Sequence, residues 1–239
     1  NKQNLIKNNY DGEFVLNDSG LVISKNKKNY LGLYLGPNKN YSQTLGHSHN
    51  DSLSYDLFIN GNDVIADPGI YTYADIKYRN MGRSTASHNI CRINGKEMNE
   101  IKYDEPFFMK YRENTIIENI ETHNEIIKIT GSHTAYKEIK LVKFIREIEF
   151  NNVTGNMMLT DTVIGVGRHK FEWFFHIPHN NVKVEDDKIL LDISDQKFYL
   201  DCNQNIDKVY LVDSNYWPQY GVQKEGKTAC FECFSVING

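Results

Sequence analysis

Short runs of alternating apolar and polar residues follow one another along most of the chain, separated by turns rich in Asn, Asp and Gly. Alternation with period two places successive side chains on opposite faces of a strand. Residues 53–59 and 64–66 flank a turn at 60–63 and predict a hairpin. Further strands are predicted around Ile23 and at 30–35, 89–93, 115–120, 125–130, 140–150, 156–164, 170–177, 188–193, 197–201, 208–212 and 228–236. No amphipathic helix of useful length is expected.

Many strands at short, regular spacing are typical of a sandwich or barrel. The 15 Tyr, 12 Phe and only 5 Pro also favour pleated sheet, and 239 residues suffice for a large core. We therefore predict an all-β fold, a large antiparallel β-sandwich, as one domain over residues 13–239. Residues 1–12 are polar and are interpreted as the remnant of a connector to an N-terminal domain. The chain starts at Asn rather than Met, so we expect a piece of a longer protein.

A formal net charge of −4 and a pI of about 6.1 argue against a basic face that follows nucleic acid or an anionic membrane. No apolar run approaches the roughly 18 to 20 residues that a membrane span requires. The composition therefore predicts neither a nucleic-acid nor a membrane partner, and an anionic substrate would have to be bound by local groups.

Three of the eight histidines lie between residues 46 and 89. If the segment 46–51 is extended, His47, His49 and Asp51 project from one face, and imidazole with carboxylate suits zinc and several other divalent metals. The alternative is that these polar groups only bond to loop backbone. In a straight hairpin, Asp67 would lie opposite Asp56, on the order of 20 Å from His49, so a metal site that includes Asp67 requires a bend or bulge.

Three ordered segments resemble the signature of the heparinase II/III family of polysaccharide lyases: 46–55 (GHSHNDSLSY), 66–73 (ADPGIYTY) and 83–90 (RSTASHNI), followed by Ile93-Asn94-Gly95. The resemblance implies that His49, Asp67 and His88 bind zinc and that His47 belongs to the active site. It also implies a helical toroid before the sandwich, a cleft between the two that cuts acidic, uronate-containing polysaccharides by β-elimination, and a secreted or periplasmic location.

β-Elimination needs a base, an acid and a group that neutralises the uronate carboxylate. We predict His47 and Tyr78 for proton transfer and Arg79 or Arg83 for the carboxylate, because arginine matches its planar shape. Arg83 is equally consistent with a structural role in which it ties its loop to backbone carbonyls. Tyr73 and Asn89 are the predicted substrate-binding residues.

Two other functions stay open at this stage. One is a non-catalytic sandwich that binds carbohydrate and uses the metal as a clamp. The other is a cupin-like metalloenzyme, since HxH, a carboxylate and a later His also suit a redox metal in a barrel. Because the family's principal tyrosine base comes from the toroid, we expect this chain alone to be inactive or nearly so.

Overall fold

The computed structural model describes residues 11–36, 46–110, 112–203 and 206–239. The strands are β1 (Gly12–Leu16), β2 (Leu21–Lys25), β3 (Asn29–Tyr34), β4 (Tyr55–Ile59), β5 (Asn62–Ile65), β6 (Cys91–Ile93), β7 (Glu100–Ile101), β8 (Met109–Lys110), β9 (Ile116–His123), β10 (Ile126–His133), β11 (Leu141–Asn151), β12 (Met157–Ile177), β13 (Val182–Glu185), β14 (Lys188–Ile193), β15 (Gln196–Leu200), β16 (Lys208–Gln219) and β17 (Val222–Asn238). The helix α1 is Ile76–Gly82. Most of the expected connector, residues 1–10, lies outside the described ranges.

Two main antiparallel sheets confirm the predicted fold class. The first runs β1-β2-β3-β4-β5, in chain order. The second has the order β16-β17-β12-β11-β10-β9, with β6 paired to β12 beside this path. Two small sheets, β13-β14-β15 and β7-β8, complete the fold. Within the described ranges, no helix is long and apolar enough to cross a membrane.

Apolar residues from both main sheets form one core. Those with no exposed surface include Val22, Leu31 and Leu33 of the first sheet and Ile127, Ile129, Ile148 and Phe150 of the second. In β11, buried and partly exposed positions alternate, which is the period-two pattern that identified the strand. Truncating such a residue to Ala costs about 2–5 kcal/mol, so the sheets depend on each other for stability.

Strand β12 is longer than the sequence predicts. Residues 156–164 and 170–177 were expected as separate strands, but they belong to one strand of 21 residues. Gly165 and Gly167 have φ values of 155° and 116° and lie in its middle. The pairing of β12 with β17 continues from Val166 onward. The glycine-rich stretch is therefore an irregularity that the ladder tolerates, not a turn.

Helix α1 is short, in keeping with the expectation that no amphipathic helix of useful length interrupts the strands, but the sequence did not indicate it. Asp75 caps it by accepting hydrogen bonds from the backbone nitrogens of Lys77 at 2.8 Å and Tyr78 at 3.4 Å. The helix has only 7 residues, too few to show a helical period in the sequence. It carries Tyr78 and Arg79 into the candidate site.

We predicted a shared face for His47, His49 and Asp51 on the condition that the segment 46–51 is an extended strand. This segment, which precedes β4, is not a strand. Strand β4 starts only at Tyr55. The nitrogen of Ser54 donates to the carbonyl of Asp51 at 2.9 Å, and Leu53 has a φ of 70°, so the chain turns here. Strand β4 also has a register shift after Leu57. The bend needed to bring separate segments together is supplied by this turn and bulge.

Arg146 of β11 attaches two loop segments to the second sheet. Its side chain is fully buried and forms a two-bond pair with Asp161 of β12, at 2.8 and 2.7 Å. Its Nη1 also donates to the carbonyls of Leu53, at 2.9 Å, and Asn89, at 2.7 Å. These carbonyls belong to the segments that carry His49 and His88, so the sheet fixes both loops.

Candidate active site and metal-binding group

The tip of the hairpin formed by β16 and β17 holds the loop that follows β5. The nitrogen of Trp217 donates to the carbonyl of Pro68, and that of Gly221 to the carbonyl of Tyr71, both at 2.7 Å. Gly69 has a φ of 79°, and a Cβ there would lie 2.6 Å from the carbonyl oxygen of Trp217. Only glycine fits this close approach, which explains its place after Asp67-Pro68.

His49, Asp51 and His88 form a group whose ligand atoms all lie within 4.8 Å of one another. His88 is 1% exposed, and its Nε2 is buried without a hydrogen-bond partner. A buried imidazole nitrogen with no partner is costly unless something binds it. Two imidazoles and a carboxylate are ligands for zinc and other divalent ions, so this group can bind a metal.

Asp67 lies on the opposite side of the His88 ring. Its Oδ2 is 2.6 Å from Nδ1 of His88, and its Oδ1 accepts a hydrogen bond from the nitrogen of Gly69 at 2.9 Å. Burial alone would raise the pKa of Asp67, but the charge and hydrogen bond of His88 lower it to about 2. A carboxylate on the second nitrogen of an imidazole orients the ring toward a metal. The direct ligand role expected for Asp67 stays a prediction.

Burial keeps His49 neutral and Asp51 partly protonated near neutral pH. Burial, assisted by the charge of His88, lowers the pKa of His49 to about 3. Burial raises the pKa of Asp51 to about 6. A neutral imidazole has the protonation state that metal binding requires, and a bound cation would draw the proton from Asp51. Asp51 belongs to the HxHxD run that the sequence singled out.

His47 is exposed and is not part of this group. Its ring meets the Tyr73 ring edge-on, with centroids 5.3 Å apart, and lies 5.6 Å from the Phe107 ring. The two histidines of HxH therefore have different surroundings, since His49 points toward His88, with ring centroids 5.4 Å apart. His47 is the one that can contact a large substrate.

Arg79 is fully buried beside His49 and the backbone of Gly46. Its Nη1 lies 3.1 Å from Nε2 of His49, and its Nη2 donates to the carbonyl of Gly46 at 2.7 Å. Arginine only donates, so Nε2 of His49 accepts this hydrogen bond. A guanidinium with no exposed surface is not placed to pair with a uronate carboxylate. Arg79 instead supports the loop that carries His47.

Arg83 has the structural role that the sequence left open as an alternative. It has no exposed surface. Its guanidinium donates to Oδ1 of Asn80 and to three backbone carbonyls, those of Phe108, Lys102 and Glu105, at 2.7 to 3.2 Å. The loop 102–108 is thereby held against α1. We do not retain a carboxylate-binding role for Arg83.

The two singled-out tyrosines occupy different environments. Tyr78 packs against Tyr71, with centroids 4.8 Å apart, and edge-on against Trp217, at 6.2 Å. Tyr73 is the tyrosine that contacts His47. The substrate-binding role expected of Tyr73 is compatible with this position, whereas the described contacts of Tyr78 are with other aromatic rings.

Asn89 is fully buried and therefore cannot contact a polysaccharide. Its Nδ2 donates to the carbonyl of Tyr55 at 2.9 Å, and its Oδ1 accepts from the nitrogen of His176 at 2.7 Å. These hydrogen bonds join β4 to β12 next to His88. The substrate-binding role expected of Asn89 is replaced by this structural one, because burial and backbone pairing could not be derived from the local sequence.

The family model for the heparinase II/III-like C-terminal region matches residues 12–236. The chain belongs to this family. A search of curated proteins finds no match. The cupin-like alternative is no longer needed, since the fold and the family agree.

Solved structures with the same fold extend well beyond this region. The heparan sulfate lyase HepC from Pedobacter heparinus superposes with a TM-score of 0.76 at 18% identity, covering 96% of this chain and 35% of that one. A heparinase III gene product gives a TM-score of 0.72 at 16% identity, covering 94% of this chain and 34% of that one. This heparinase II/III-like chain thus spans about a third of the solved structures that it matches.

A buried polar network that sequence reasoning missed joins the two histidine segments of this heparinase II/III-like domain. Oε2 of Glu97 accepts from the nitrogen and Oγ1 of Thr85 and from Nδ2 of Asn50. Oδ1 of Asn50 accepts from the nitrogen of Asn99, whose Nδ2 donates to Glu113. Glu97 follows the Asn94-Gly95 turn in sequence, and no local pattern distinguishes it from a surface residue.

Proposed function

We propose that this domain is the β-sandwich part of a secreted or periplasmic polysaccharide lyase that cleaves uronate-containing glycans by β-elimination. In this proposal, an N-terminal helical toroid of the same protein packs against the loops at 46–51 and 66–73 and completes the cleft. The observation that carries it is the exposed imidazole of His47, in contact with Tyr73 and two residues before His49 of the metal-binding group. Large acidic glycans lie outside the cytoplasm, hence the proposed location.

The reaction removes the proton at C5 of the uronate, and the electrons of that bond form the C4–C5 double bond. The C4–oxygen bond breaks, and the leaving oxygen takes up a proton. His47 is proposed to carry one of these protons, because an imidazole can both accept and donate a proton and this one is open to solvent. Tyr78 stays a candidate for the other transfer, and Tyr73 is proposed to hold the sugar beside His47.

Positive charge behind these residues favours an anionic substrate. The guanidinium carbon of Arg79 lies 5.1 Å from the centroid of the Tyr73 ring. Solvent and salt screen a buried charge less than an exposed one. Arg79 therefore attracts the uronate carboxylate beside Tyr73 through its electrostatic field, without touching it.

We propose zinc as the metal of the group described above. His49 and His88 would hold it together with the carboxylate of Asp51, while Asp67 would either orient the His88 ring through Nδ1 or, as the resemblance implies, bind the ion itself. The bound ion would supply fixed positive charge that joins the loop of His49 to that of His88 and orders the cleft wall. The support for this assignment is the donor set and the partnerless Nε2 of His88.

The test measures the ultraviolet absorbance of unsaturated uronate with the full-length protein on heparan sulfate, heparin, chondroitin sulfate, hyaluronan and alginate. We expect cleavage of at least one polymer, and loss of about 100- to 10,000-fold in kcat for His47→Ala. His123→Ala, an exposed histidine on β9, is the matched control. Unchanged cleavage by His47→Ala would favour the non-catalytic carbohydrate-binding alternative for this domain.

A further inference from the structure

We propose that Tyr73, Phe107 and Tyr220, here called the aromatic strip, form a stacking surface for the pyranose rings of an acidic glycan beside His47. This inference rests on the function proposed above and identifies its sugar-binding surface. The Tyr73 ring lies between the other two, with centroids 6.2 Å from Phe107 and 5.9 Å from Tyr220 and an interplanar angle of 28° to each.

The strip presents apolar surface to solvent next to the proposed catalytic group. Phe107 is 50% and Tyr220 60% exposed. Both Tyr73 and Phe107 also contact the His47 ring. The C–H faces of pyranose rings are apolar and pack well on aromatic faces. A glycan lying along the strip would therefore pass His47, where the C5 proton must be presented.

The rings are held in place by groups from separate segments. The Tyr220 hydroxyl lies 3.0 Å from Oγ1 of Thr72 and accepts a hydrogen bond from the nitrogen of Tyr73 at 3.2 Å. A Cβ on Gly46 would be in ordinary van der Waals contact with Cβ of Phe107, at 3.4 Å, so the loop of His47 lies beside that residue. A surface fixed before binding loses little conformational entropy when a ligand arrives.

The charge next to the strip selects for acidic sugars. The guanidinium carbon of Arg79 lies 5.1 Å from the Tyr73 centroid and 5.9 Å from that of Phe107. A cation near an open aromatic surface favours a carboxylate-bearing ring over a neutral one. The strip is therefore assigned to uronate-containing chains rather than to neutral glucans.

The experiment measures binding, not cleavage. Heparan sulfate hexasaccharide and maltohexaose are titrated calorimetrically into the full-length protein carrying His47→Ala, which prevents turnover during the titration. We expect the acidic hexasaccharide to bind more tightly, and Phe107→Ala or Tyr220→Ala to weaken it about tenfold each. Phe107→Tyr keeps the flat ring and retains affinity to within about twofold, whereas Phe107→Leu keeps apolar volume without the ring and loses affinity like Phe107→Ala.

Phe234→Ala is the matched control, because Phe234 on β17 is 56% exposed and also has an arginine, Arg168, 5.6 Å from its ring. It should bind the hexasaccharide as the parent does. The proposal is overturned if Phe107→Ala and Tyr220→Ala bind with unchanged affinity. It is also overturned if Phe107→Leu and Phe107→Tyr bind equally well, or if the parent does not bind the hexasaccharide.

The experiments distinguish a failure of the lyase proposal from a failure of the proposal for the aromatic strip. If the wild-type protein cleaves no polymer but Phe107→Ala loses hexasaccharide binding, the strip stands and the chemistry is wrong. If the protein cleaves and Phe107→Ala binds and cleaves normally, the chemistry stands and the strip is wrong.

Discussion

The Oε2 atom of Glu97 accepts hydrogen bonds from both the backbone nitrogen of Thr85, at 2.6 Å, and its Oγ1, at 2.7 Å. The same oxygen accepts from Nδ2 of Asn50 at 2.8 Å. Thr85 precedes His88 by three positions and Asn50 follows His49 directly, so one carboxylate joins the two segments that present the metal-binding group.

Removing this carboxylate should destabilise the fold strongly. Glu97→Ala leaves buried donors of Thr85 and Asn50 without an acceptor, and we expect a loss of about 3 kcal/mol in the free energy of unfolding. Glu97→Gln keeps an acceptor oxygen and should lose about 1 kcal/mol. Urea denaturation measures both, with Glu185→Ala on exposed β13 as the control. A change below about 0.5 kcal/mol in Glu97→Ala would contradict the role assigned to Glu97.

Metal binding should depend on both histidines and on Asp67. We expect His49→Ala and His88→Ala to abolish zinc uptake in a chelator competition, and Asp67→Asn to weaken it at least about tenfold. A loss in Asp67→Asn equal to that in His88→Ala would identify Asp67 as a ligand, and a smaller loss would identify it as the group that orients His88. Zinc affinity that is unchanged in Asp67→Asn would refute both roles.

Glu113 should make stability depend on pH. Burial raises its pKa to about 7, although Ser52 and Asn99 donate to it. In the unfolded chain its pKa is near 4.3, so the unfolded state releases this proton first as the pH rises. The stability contributed by protonated Glu113 is complete below about pH 4 and is lost as the pH rises to about 7.

The matched variant is Glu113→Gln, which does not titrate. Compared with this variant, the wild type should lose about 2–3 kcal/mol of unfolding free energy between pH 5 and pH 8. Urea denaturation at both pH values checks the difference. A difference between the two proteins that stays constant with pH would show that Glu113 is ionised in the folded state throughout.

Arg146→Met should damage both the fold and the metal-binding group. It leaves the buried carboxylate of Asp161 unpaired and frees the carbonyls of Leu53 and Asn89. Removing one partner of a buried ion pair costs about 3–5 kcal/mol, and we expect that loss together with weaker zinc binding. Arg112→Met, which removes two partly exposed ion pairs, with Glu100 and Glu138, should have a much smaller effect on both. Normal zinc binding in a folded Arg146→Met protein would show that the sheet does not position the loops.

The strands were predictable because burial on one face is a local property of the sequence. The alternation over 140–150 matches the burial pattern of β11 from Phe144 to Phe150, except that the buried position between Phe144 and Ile148 is the charged Arg146. Prediction from the local sequence failed where contacts with residues far away in the sequence determine the conformation. The turn at Leu53 places its side chain in the core, and Arg146 donates a hydrogen bond to its carbonyl. Helix α1 depends on the cap at Asp75 and on packing, not on a helical period of apolar residues in the sequence.

The site residues show the same division. Family resemblance selected His47, His49, Asp67 and His88; in the structure His49 and His88 group with Asp51, and Asp67 contacts Nδ1 of His88. Arg79, Arg83 and Asn89 were chosen for chemistry alone, and all are fully buried. Residue type indicates what a side chain can do, but exposure is set by tertiary contacts, such as the carbonyls bound by Arg83.

The hydrogen bonds that Trp217 and Gly221 donate to the loop at 68–71 have a consequence for biosynthesis. Strand β17 lies between β16 and β12, so the sheet cannot close until the last segment of this domain has left the ribosome. Tyr220 reaches Tyr73 only then. At a translation rate of about 5–20 residues per second, the segments of His49 and His88 emerge roughly 6 to 30 seconds before this hairpin. The contact between Tyr220 and Tyr73 should therefore be among the last in the nascent domain to form.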